Sequence, residues 1–155
     1  MRKIIFTRPD GGVSVVVPAI NTIPDLENIT EAEAEKRAWN KLPANAINPR
    51  FVTDADIPTD RTFRNAWKDG GVKIEVDMPK AREIHKNKLR DMRAPKLSKL
   101  DVDYMRADEE GNTALKVKIA TQKRALRDVT ADPQIASAKT PDELKTVIPK
   151  ILEVV

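Results

Sequence analysis

Between Met78 and Val129 the apolar residues recur at helical spacing. Leu97, Leu100, Tyr104 and Ala107 fall at steps of three, four and three, which is one face of an α-helix. Beyond Glu110-Gly111-Asn112, Leu115, Ile119, Gln122, Leu126 and Val129 fall at steps of four, three, four and three. Two seams of one period on either side of a tight turn predict an antiparallel helical hairpin, each stripe buried against the other. The first helix should begin near Pro79 with Asp77 as its cap and carry Ile84, Leu89 and Met92. It should kink or break at Pro95, because an interior proline costs roughly 3 kcal/mol.

The first half of the chain patterns differently. Lys3 to Thr7 and Val13 to Val17 are β-branched runs around Arg8-Pro9-Asp10-Gly11-Gly12, the turn chemistry of a β-hairpin. Pro18 to Asn28 is a connector. Thr30-Glu31-Ala32-Glu33 is a capping box, and the helix it opens carries Ala34, Ala38, Trp39 and Leu42 before stopping at Pro43. Ala44 to Asp60 looks irregular. Val72 to Val76 alternates apolar and charged residues as a half-buried strand does; Phe63 to Lys68 is either its hairpin partner or a short turn of helix. Asp10-Gly11-Gly12-Val13 is echoed by Asp69-Gly70-Gly71-Val72, which convergence on good turn residues explains as well as duplication. In the tail, Asp132-Pro133 and Thr140-Pro141-Asp142-Glu143 each cap a short helix, and Leu144, Val147, Ile148, Ile151 and Leu152 form a stripe interrupted by Pro149.

Composition narrows the options. The 155 residues are 40% hydrophobic, 34% charged and 4% aromatic, with eleven prolines against five glycines, so a modest core with stiff connections is expected. The absence of cysteine removes disulfides, thiolate metal sites and thiol nucleophiles. No run approaches the ~20 apolar residues of a membrane span, and Met1 to Phe6 is too short an apolar start for a signal peptide. A protein made and kept in the cytoplasm until it joins a larger assembly is expected.

Charge brings in candidate chemistry. Lys80 to Lys99 holds eight basic and two acidic residues. Arg82, Lys86, Arg90 and Arg93 line one helical face, a candidate phosphate-binding stripe. The same stripe serves equally as a solvated face or a dock for an acidic protein. It lacks the aromatic interleaving of a base-stacking surface, and Asp101, Asp103, Asp108, Glu109 and Glu110 follow at once. His85, the single histidine, is expected on the helix surface. Asp54 to Asp60 fails as a calcium loop, since Thr59 and Asn65 stand where Gly and Glu are required. No serine elbow, phosphate-cradling loop or distinguished carboxylate pair is present. The expectation is therefore a non-enzyme without cofactor or metal. Trp39 and Trp67 fit either the core or an interface hot spot.

Ile119 to Val129, with Arg124, Leu126, Arg127 and Asp128 ahead of a proline-containing tail, resembles small tailed-bacteriophage proteins, the tail-fibre assembly and tail-associated accessory proteins. Arg90, Arg93, Leu97 and Leu100 are similar to the helix that precedes this run in them. The ending Thr146-Val147-Ile148-Pro149-Lys150 departs from the aromatic-plus-proline ending of that group. The resemblance implies a non-enzymatic protein that binds a tail fibre or other tail component, in the host cytoplasm during assembly or in the virion tail.

Together these readings give an α+β fold. Residues 1–78 form a β-hairpin-rich region with a capped helix, and residues 79–155 a helical hairpin with short C-terminal helices. The expected partner-binding residues are Trp39, Trp67, Leu97, Leu100, Tyr104, Leu126 and Arg127. The partner is a phage tail or tail-fibre protein, with a homo-oligomer also in view; nucleic acid on the basic stripe is the alternative, and no membrane is involved.

Overall fold

A computed structural model describes residues 1–20 and 29–154; the expected connector therefore lies, from 21 to 28, outside the described residues. The fold is α+β, in two compact units, Met1–Asp77 and Met78–Val155.

In the first unit, β1 (Lys3–Thr7) runs antiparallel between β2 (Val13–Val16) and β3 (Ile47–Val52). Gly11 takes φ +79 at the β1–β2 turn, a conformation that favours glycine, and Asp10 accepts the Gly12 N–H at 2.8 Å. Ile4, Ile5 and Phe6 are all buried, so β1 is covered on both faces. Helix α1 (Glu31–Asn40) packs on β1 with Ala34 buried. Its capping box is formed as expected, Thr30 and Glu33 each accepting the other's amide proton. Ile5 also joins Val13, Val52, Trp67 and Ile74 in one core, each fully buried aliphatic side chain contributing roughly 1.5–3 kcal/mol.

Two expectations change here. Ile47–Val52 is a strand, although Pro49 and Pro58 made the stretch from Ala44 to Asp60 look irregular. It is an edge strand, where proline removes no needed ladder bond, and Asn48 takes φ +49 beside a shift of register between Ile5 and Thr7. The Phe63 to Lys68 alternatives both occur, in succession. Arg64–Ala66 is a 3₁₀ turn, and β4 (Trp67–Asp69) follows it to pair with β5 (Ile74–Val76). Val72 is exposed and precedes the strand. The echoed Asp-Gly-Gly turns share one bond, since Asp69 accepts the Gly71 N–H as Asp10 accepts that of Gly12. Their left-handed residues differ, Gly11 in one and Gly71 in the other, so the likeness is of turn chemistry and not of one repeated turn.

The second unit is led by α2 (Met78–Glu109) and α3 (Thr113–Asp128). They meet at Gly111, with φ +66, and Asn112 caps α3 by accepting the Leu115 N–H at 3.0 Å. The short helices α4 (Pro133–Ser137), α5 (Pro141–Thr146) and α6 (Ile151–Val154) follow. α2 packs against α3, α5 and the 3₁₀ turn Val129–Ala131, and α3 against α6. The expected break at Pro95 does not occur; α2 continues through it. Ala81, His85 and Leu89 are buried before the proline and Leu100 and Ala107 after it, so packing on both sides offsets its local cost. Glu143 departs in detail from the expected box: its carboxylate accepts the Lys139 N–H at 2.7 Å, while Thr140 caps the Glu143 N–H.

Candidate functional site

The distal hairpin, where α2 and α3 run to their turn, offers two faces of different character. One is bridged by ion pairs between the helices. Lys123 Nζ lies 2.5 Å from Asp101 Oδ1, and Lys116 pairs with Asp108. Both ammonium groups sit beside the Tyr104 ring, at 5.5 Å for Lys116 and 5.3 Å for Lys123, within the range of a cation–π attraction. The Asp108 carboxylate, by its hydrogen bond first, holds the Lys116 ammonium above its ordinary pKa.

The opposite face is open. A groove of about 390 Å³ runs between the helices, floored by Leu100, Ala107 and Ile119 and flanked by Asp103, Glu110, Leu115 and Lys118. Leu115 is 38% exposed there. Along the outer edges, Val102 and Met105 of α2 are 41% and 57% exposed and Val117 of α3 63%. The two-seam periodicity did not include these three; their signal was that they are apolar and fall off the buried period.

The basic stripe has a different use from the one its spacing suggests. The Arg82 guanidinium donates to the backbone carbonyls of Ile135, at 3.2 Å, and Ala138, at 2.9 Å. Arg93 donates to those of Leu126, at 3.4 Å, and Arg127, at 2.5 Å. These are carbonyls at the ends of α4 and α3, which have no acceptor role left inside their own helices. Lys86 pairs with Glu83 at 2.7 Å, holding that carboxyl below its ordinary range, and Arg90 donates to Asn87 at 2.5 Å.

His85 is 1% exposed, not on the surface as its charged neighbours suggested. It occupies the buried face of α2, four residues from both Ala81 and Leu89, and its Nε2 lies 2.8 Å from the Val147 carbonyl oxygen. The run of Lys and Arg around it concealed that period.

The expected partner-binding residues divide by burial. Trp67, Leu100 and Leu126 are core residues, and Leu97 and Tyr104 are half-buried along the seam. The Arg127 side chain is exposed. Trp39, in the first unit, is 37% exposed and stacks on Phe51 with ring centroids 5.0 Å apart. The Arg2 guanidinium lies 4.2 Å from the Phe51 ring and grips Glu35 through its side chain and its backbone N–H.

The acidic run is committed within the chain. Asp54 pairs with Lys3 at 2.5 Å, Asp56 accepts from Thr53 and Asp60 from Thr62. Among the described residues no group of three or more such side chains is arranged to hold a metal ion, and no helix is long and apolar enough to cross a membrane. Compared with family models, curated proteins and solved structures, the chain matches none.

Proposed function

We propose that this chain is a structural or tail-assembly accessory protein of a tailed bacteriophage, acting by protein–protein contact with a tail fibre or another tail component. The observation that carries the reading is the exposure of Val102, Met105 and Val117 along the edges of the distal hairpin. Val102 and Met105, three residues apart on one edge of α2, set two large apolar side chains next to each other in water, the arrangement a docking helix presents. The resemblance of the run ending in Leu126-Arg127-Asp128 supplies the class of partner. The nucleic-acid alternative is the weaker one, because Arg82 and Arg93 are bonded to backbone carbonyls.

The test is co-sedimentation of the purified chain with tail fibres or tail particles. Val102→Asp with Met105→Asp should abolish it while helical circular dichroism is retained. Leu126→Asp is unsuitable, since Leu126 is fully buried and its loss reports on folding. A chain that binds no tail component, and instead carries nucleic acid until nuclease or salt removes it, overturns the reading.

A further inference from the structure

We propose that the open groove of the distal hairpin is filled by the same groove of a second copy, giving a symmetric four-helix dimer. Three observations point to this occupant. First, the two sides of the groove carry opposite net charge: Asp103 and Glu110 with one basic residue, Arg106, line it from the α2 side, and Lys118 lines it from α3. Of two hairpins packed groove to groove, the arrangement that sets α2 over its own copy opposes like charges. A two-fold axis parallel to the helices sets each α2 over the other copy's α3, acid against base.

Second, the groove's flanking charges are left available. Lys116 and Lys123 are bound to Asp108 and Asp101 on the far face. On the groove side Asp103 has only a 3.9 Å approach from Arg106, and Lys118 has no ion pair among the described residues. Counted from Gly111, Lys118 lies seven residues along α3 and Asp103 eight residues back along α2. At about 1.5 Å per residue the axis brings Lys118 of one copy level with Asp103 of the other.

Third, shape agrees with charge. Leu115 and Ala107 each stand four residues from Gly111, so the exposed leucine of one copy comes level with the small alanine in the groove floor of the other. Each copy supplies one knob and one hollow.

This goes beyond the tail-component reading and uses a different surface, because Val102, Met105 and Val117 remain on the outer edges. The experiment is the solution mass of the full chain by analytical ultracentrifugation across a concentration series. A dimer is expected, weakened roughly tenfold or more by Lys118→Glu or by Asp103→Lys alone and restored in the chain that carries both changes. Leu115→Asp should give a monomer, with circular dichroism checking that each variant is folded. A wild-type monomer throughout the series overturns the proposal, as does a dimer indifferent to these changes. Either result leaves tail binding through Val102 and Met105 to be judged by its own assay.

Discussion

The Arg93 guanidinium closes the end of a helix that begins twenty residues after it: it donates to the backbone carbonyl of Arg127 at 2.5 Å. A charged donor thus serves as a C-cap from another helix, where a glycine or a local side chain is the usual device.

Removal of that cap should register as lost stability. Arg93→Ala is expected to cost about 1–2 kcal/mol, because a hydrogen bond from a charged donor is lost and carbonyls are left to water. Arg90, three residues away on the same stripe, donates among the described residues to Asn87, and Arg90→Ala should stay within about 0.5 kcal/mol. Denaturant unfolding followed by circular dichroism separates them. Equal effects would show that the stripe acts as one charged face.

His85→Phe keeps a ring in the buried site but leaves the Val147 carbonyl without its donor. An unsatisfied buried acceptor costs roughly 1–3 kcal/mol, and the loss should appear in the helical signal. A variant as stable as the parent would mean that packing and the Arg82 bonds hold the C-terminal segment on α2 without help from the His85–Val147 bond.

Pro95→Ala should stabilise the second unit. The interior proline costs roughly 3 kcal/mol and returns about 1 by restricting the unfolded chain, so a gain of about 2 kcal/mol is expected in the same unfolding experiment. No gain would indicate that α2 has adjusted its backbone around the ring.

The first unit should respond to acid through Asp69. Arg50 holds it bidentately, at 2.6 and 2.5 Å, and keeps its carboxyl below the ordinary value of 3.8. A depressed folded pKa gives stability that is complete above the ordinary value and is lost as pH falls through the folded one. Arg50→Gln removes the largest cause of the depression, so the acid transition should move to higher pH. Both tryptophans lie in this unit, so fluorescence follows it alone; an unmoved transition would place the acid sensitivity elsewhere.

Much of this architecture was legible because local rules and packing agree. The capping box at Thr30, the turn at Gly111 and the seam through Ile119 and Leu126 each follow from residues near one another in sequence. β3 was hidden because Asn48 and Pro49 break strand propensity, and only its pairing with β1 makes the segment a strand. His85 was hidden because its neighbours' charges outweighed its place on the buried period. The hairpin was visible as a docking element, but which side of the seam stays open was not. That depends on Lys116 and Lys123 reaching Asp108 and Asp101 on one face, leaving the other to Leu115.

The bonds from α2 to the C-terminal segment also impose an order in time. Arg82 is complete only when Ile135 and Ala138 exist, and His85 only when Val147 does. On the ribosome the first unit has its full complement of residues by Asp77, and the hairpin has its own by Asp128. The start of α2 is synthesised before either helix of the hairpin is finished, yet its side-chain bonds are completed only by residues 135, 138 and 147. During synthesis it is therefore the stretch most dependent on staying bound to nothing else, and its dense lysines and arginines keep it hydrated while it waits.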